Sequence, residues 1–93
     1  MNFLDIFNIV ARAAKPMHMD VTFATSMEDV LQDINIDSLD GLMMMMYIGD
    51  IYGIPDEADK EFYPKTVQEV YDFIQAHKTK EPQSLDEVKE AVK

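Results

Sequence analysis

The chain has no cysteine. A disulfide-stapled secreted scaffold, a cysteine-based zinc site and a protein-borne thiol nucleophile are all excluded. Long apolar runs are missing too. The longest, Leu42 to Ile48, has seven residues, far short of the ~20 that a spanning helix needs. The start, Met1-Asn2-Phe3-Leu4-Asp5, lacks the basic opening of a signal peptide. The expectation is a protein with no membrane span in a reducing compartment, the cytoplasm. Bases are scarce: 8 Lys and Arg stand against 18 Asp and Glu, for a net charge of −10. Such a balance argues against nucleic-acid binding, which needs cations facing phosphates.

What is present suits one domain of 93 residues. A chain this short buries only ~60–65% of its unfolded surface. Yet 47% of its residues are apolar, so wholesale disorder is not expected. The charge is concentrated. From Asp20 to Glu61 there are eleven acids and one base, Lys60, and the rest sums to zero. Acidic surfaces keep small proteins in solution, but self-repulsion opposes folding. One strongly negative half therefore suggests cationic partners.

The hydrophobic rhythm is helical. Phe3, Phe7, Val10 and Ala14 mark one face of an opening helix, widened by Ile6 and Ala13, with Lys15 in its last turn and Pro16 ending it. Residues 17–36 form a long connection, with Thr25 and Ser26 as turn or cap residues and Met27, Val30, Leu31, Ile34 and Ile36 available to pack it. A second helix starts at Asp37-Ser38 and runs to about Tyr52, stopped by Gly53. Its expected core stripe is Leu42, Met45, Ile48 and Tyr52. Pro55 and Asp56 open a short helix to about Phe62, with Asp59 three residues after the cap. Thr66-x-x-Glu69 is a capping box for a helix carrying Val67, Val70, Tyr71 and Ile74. A second box, Ser84-x-x-Glu87, follows Pro82 and starts a short piece with Leu85, Val88 and Val92, expected to be a loosely docked tail. The expected class is all-α, three main helices and one short one over residues 1–80, with 81–93 as a helical tail.

Ser38 stands at a helix start between Asp37 and Leu39-Asp40. Its commonest role would be a plain N-cap. As a nucleophile it lacks a recognisable base, since neither His18 nor His77 sits in a catalytic motif. The Gly-x-Ser-x-Gly elbow is absent. A hydroxyl at a helix N-terminus is, however, well placed to carry a phosphodiester.

The stretch Asp33-Ile34-Asn35-Ile36-Asp37-Ser38-Leu39-Asp40 resembles the Asp-Leu-Gly-x-Asp-Ser-Leu-Asp/Glu signature of the acyl carrier proteins. Gly53-Ile54-Pro55-Asp56-Glu57 and Lys65-Thr66-Val67-Gln68-Glu69-Val70 are similar to later segments of that family, in the same order and spacing, from about Phe3 to Lys78. The resemblance implies a small four-helix bundle of the acyl-carrier type. It implies that Ser38 carries 4′-phosphopantetheine, transferred from coenzyme A by a phosphopantetheinyl transferase. The arm's thiol would hold acyl groups as thioesters for ketosynthases, acyltransferases and related enzymes of fatty acid, polyketide or specialised lipid synthesis. The chain itself would be no enzyme, would need no metal, and would be a monomer alone. Docking on basic patches would fall to Asp37, Leu39, Asp40, Met43, Met46, Asp50 and Asp56. Ile54 and Phe62 are candidates to line an acyl cavity. Ser84-Leu85-Asp86 repeats the motif but follows Gln83 and opens a weak helix, so it is rejected as the attachment point.

The chain departs from the family along its second helix. Where glutamates are usual, Leu42 is followed by four methionines, and only Asp40 and Asp50 are charged. A helix apolar all round must be buried all round or meet something. Met43 and Met46 are therefore expected to extend the docking surface by apolar contact. Asn35 replaces the usual glycine, and Asn tolerates the left-handed region. Two alternatives stand beside this reading. One is a peptidyl or aminoacyl carrier. The other is a calcium-responsive helical module, for which Asp33, Asn35 and Asp37 match loop positions but Ser38 and Met44 fail the glycine and glutamate positions.

Overall fold

The first helix, α1 (Phe3–Ala14), begins where Asn2 Oδ1 accepts from the Leu4 N–H at 2.9 Å. In this computed structural model the described residues are 2–15, 19–55 and 62–93. Among them lie three further helices, α2 (Ser38–Tyr52), α3 (Val67–His77) and α4 (Leu85–Ala91), and a 3₁₀ turn at Leu31–Ile34. The architecture is a small helical bundle, as the periodicity predicts. The short helix expected from Pro55 to Phe62, with Asp56 and Asp59 at its head, falls on residues 56–61 and so lies outside the described residues, as do Pro16 and His18.

One shared core joins the elements. From α1 come Ile6, Phe7, Val10 and Ala11, from α2 Met44, Met45, Ile48, Ile51 and Tyr52, and from α3 Val67, Val70, Phe73 and Ile74. The long connection packs on its own side chains, with Leu31, Ile34 and Ile36 buried. Polar ties hold it in place. Asn8 clasps the backbone of Ala24 in both directions, at 2.8 and 3.0 Å. An isolated antiparallel bridge joins Val30 to Thr66, and the Gln68 N–H donates to the Met27 carbonyl at 2.7 Å. Asn35 takes the left-handed conformation, φ 63°, as its sequence position requires.

Residues 81–93 form the expected helix but are not loosely docked. Ser84 Oγ accepts from the Glu87 N–H at 3.1 Å. Val88 is fully buried in the common core, and α4 packs on both α1 and α2. The segment before it is anchored to the end of α2. The Thr79 N–H donates to the Tyr52 carbonyl at 2.9 Å and the Thr79 hydroxyl to the Gly53 carbonyl at 2.6 Å. Gly53 closes α2 with φ 63°, and a Cβ there would run into that hydroxyl.

The core face of α2 differs from the expected stripe. Leu42 points outward and is 62% exposed, while Met44 and Ile51 are buried. At 100° per residue the buried face is rotated by roughly 60° from the expected one. With apolar residues at nearly every position, the helix has no periodic signal to fix its own rotation, and packing against α1 and α4 decides it.

Candidate functional site

The head of α2 is built by its cap. Asp37 is the N-cap, and its Oδ1 accepts from the Asp40 N–H at 2.8 Å. Asp40 closes the capping box by accepting from the Asp37 N–H, at 3.4 Å. Ser38 is thus the first helical residue, not the cap. It is exposed, and its hydroxyl has no hydrogen-bond partner among the described residues. Donation from the Asp40 N–H holds the Asp37 carboxyl below its ordinary range, against some desolvation and with help from the Lys15 charge.

Asp40 is the residue that departs most from expectation. Named above as a docking acid, it is 9% exposed. Its Oδ2 lies 2.6 Å from the Lys15 ammonium. Lys15 is the C-cap residue of α1, so this buried pair locks the end of α1 to the start of α2. An acid committed this way is withdrawn from any partner. Sequence reasoning missed Lys15, which it placed only as a helix-end charge. The one available signal was its position as the last base before the acidic window.

The other docking candidates divide. Asp37, Leu39 and Asp50 are exposed, Met46 is 61% exposed and Met43 is half-buried. Leu39 is 68% exposed. Leu42, missed as a surface residue, joins them. Leu39, Leu42, Met43, Met46 and Asp50 fall within about 100° of helical arc, opposite the buried face. Asp56 lies outside the described residues.

The two cavity candidates pack differently among the described residues. Ile54 is buried in the core. Phe62 stacks on Phe73, with ring centroids 4.1 Å apart. A cavity of about 580 Å³ lies elsewhere, at the far end of α2 from Ser38. Phe3, Ile6, Met27, Tyr52 and Tyr71 line it. His77, the remaining candidate base, packs its ring on Phe73 at 4.5 Å. Among the described residues no group of three acids or histidines is poised to hold a metal ion, and no helix is long and apolar enough to cross a membrane. Compared with protein-family models, curated proteins and solved structures, the chain finds no match.

Proposed function

We propose that the chain is an acyl carrier protein whose Ser38 bears 4′-phosphopantetheine. The single observation that carries this reading is that Asp37, and not Ser38, caps α2. A serine at a helix start usually has its hydroxyl committed to the backbone. Here the hydroxyl is left exposed and unused, at the position the Asp-Ser-Leu resemblance marks for attachment.

The surroundings of Ser38 support a substrate of a transferase over a self-acting nucleophile. A serine hydroxyl needs a base within hydrogen-bond reach. The flanking carboxylate of Asp37 is held by the helix amides, and the nearby cation, Lys15, is paired with Asp40. Among the described residues no free base sits beside the Ser38 hydroxyl, and the reading assigns the base to a partner. In the transfer, the Ser38 oxygen bonds to a pyrophosphate phosphorus of coenzyme A, the bond from that phosphorus to the bridging oxygen breaks, and the Ser38 proton leaves to the transferase's base. Adenosine bisphosphate departs. Asp37 fills the helix end, so the dipole there is already answered and the attached phosphodiester would project into water. Once bound, the arm supplies a thiol, which holds an acyl group as a thioester. The carrier supplies a rigid base for the arm, through the Lys15–Asp40 lock beneath Ser38.

The test is incubation with coenzyme A and a broad-specificity phosphopantetheinyl transferase, read by intact mass. Wild type should gain one arm, and Ser38→Ala none. An unmodified wild type under conditions that modify a control carrier overturns the reading. Loading with acyl against aminoacyl groups then separates the acyl carrier from the peptidyl type.

A further inference from the structure

We infer that the cavity at the C-terminal end of α2 binds a small organic cation carried on an apolar body, of the arylalkylammonium class. The inference does not rest on the carrier reading, and the site is not the acyl cavity that the family resemblance implies. Neither Ile54 nor Phe62 borders it. The resemblance ends at about Lys78, whereas one wall of this cavity is Glu81 and Pro82. That wall is pinned. The Thr79 and Lys80 N–H groups both donate to the Tyr52 carbonyl, at 2.9 and 3.2 Å, and the Thr79 hydroxyl donates to the Gly53 carbonyl. The C-terminal segment and the bundle therefore meet in a fixed geometry around about 580 Å³ of space, within the range of small-molecule sites.

One polar group in this cavity is left over. Tyr52 lines it and is only 3% exposed. Its hydroxyl has no hydrogen-bond partner among the described residues, yet is not sealed from solvent, so it opens on the cavity. Buried polar groups are ordinarily paired, and a ligand donor would pair this one. Burial, and then the Glu81 charge, keep the phenol protonated. A neutral oxygen beside a carboxylate suits an ammonium group, which can donate to both. Charge selects the same occupant. Glu81 is the one charged residue of the lining, and no Lys, Arg or His joins it. Glu81 Oε1 accepts from the Lys78 ammonium at 2.7 Å, but the carboxylate side chain is 60% exposed and Oε2 is uncommitted. Exposed pairs of this kind are weak and can yield to a second cation. The walls complete the match. Phe3 and Tyr71 meet edge to face at 5.1 Å, and ring faces attract cations. Ile6, Met27 and Pro82 offer an apolar seat for the rest of the ligand. A chain of −10 repels anions from the same space.

The probe is phenethylammonium, titrated near neutral pH into isotope-labelled full-length protein, with phenethyl alcohol and hydrocinnamate as its neutral and anionic analogues. For a ligand of this size a Kd on the order of 1–10 mM is expected. Shifts should concentrate on the methyls of Ile6 and Met27 and the rings of Tyr52 and Tyr71. The alcohol should bind at least about fivefold more weakly, and the anion should not bind. Glu81→Gln should weaken binding of the ammonium about fivefold. Tyr52→Phe, which keeps the ring, should weaken it about threefold. Lys78→Gln removes the competing cation and should strengthen binding about twofold. Ser38→Ala should bind like wild type, which keeps this site apart from the carrier reading. Melting curves check that the variants remain folded. No shifts at the cavity, shifts scattered over the surface acids, an alcohol that binds as well as the ammonium, or a Glu81→Gln variant that binds like wild type each overturn the inference.

Discussion

The Lys15 ammonium and the Asp40 carboxylate meet at 2.6 Å with only 8% and 13% of their side chains exposed. They lie 25 residues apart in sequence, so the pair is a tertiary lock between two helix ends. Removing one partner of a buried pair leaves an uncompensated charge, at about 3–5 kcal/mol. Lys15→Met should therefore lower stability by that order in urea unfolding. The double variant Lys15→Met/Asp40→Leu should recover most of the loss, because neither charge is then left in the interior. A double variant no more stable than the single one would show that the pair does not act as a unit.

Two pH limits follow from the titrating groups. Burial pushes the Tyr52 phenol up to about 12, with the Glu81 charge and Tyr71 adding to it. An unfolded tyrosine titrates near 10. Folding favours the neutral phenol, so this contribution is intact below about pH 10 and fades as pH rises through about 12. Tyr52→Phe should flatten the alkaline limb of a stability-against-pH profile. An unchanged limb would contradict the assignment.

At the acid side the sign is reversed. Asp37 is depressed by the Asp40 N–H, so its contribution is present above the ordinary aspartate value of about 3.9 and is lost as pH falls through its lower folded value. Asp37→Asn keeps a capping oxygen but removes the charge, and should weaken the acid limb without unravelling α2. Carboxyl NMR of Asp37 reads the depression directly, and a titration midpoint at or above the ordinary value would refute it.

The last thirteen residues should prove integral to the fold. Val88 has no exposed surface, and truncating it to Ala should cost about 1–3 kcal/mol. Deleting residues 81–93 should lower the melting temperature sharply. A deletion with unchanged melting would restore the picture of a loose tail.

Gly53 and Asn35 share a left-handed backbone, yet they should respond differently. Gly53→Ala combines about 1 kcal/mol or more of backbone strain with a collision against the Thr79 hydroxyl. Asn35→Gly removes a tolerated side chain and its long, exposed hydrogen bond to the Thr22 hydroxyl, 3.4 Å. Urea midpoints should fall clearly for the first and little for the second.

Legibility in the sequence followed the range of each interaction. The Thr66-x-x-Glu69 and Ser84-x-x-Glu87 patterns, the Gly53 stop and the left-handed Asn35 are local, and each element they mark is present, with Thr66 and Ser84 capping their helices but Glu69 and Glu87 making no return bond to the cap's own N–H. The start of α2 was readable as Asp37-Ser38, but which of the two caps depends on one side-chain hydrogen bond. The rotation of α2 was not readable, because a run of leucine and methionines carries no amphipathic contrast. Leu42 and Met44 exchanged places for that reason. The Lys15–Asp40 lock and the burial of Val88 are long-range, and no local pattern announces them. The Lys15 pair is also what holds Asp40 in the interior and off the docking surface.

The most direct measurement is the site of modification on wild-type protein treated with coenzyme A and a broad-specificity transferase. Peptide fragmentation should place a single phosphopantetheine on Ser38, with Ser84 bare and Ser38→Ala unmodified. Wild type that stays at its unmodified mass, or a prosthetic group found on any other residue, would contradict the account.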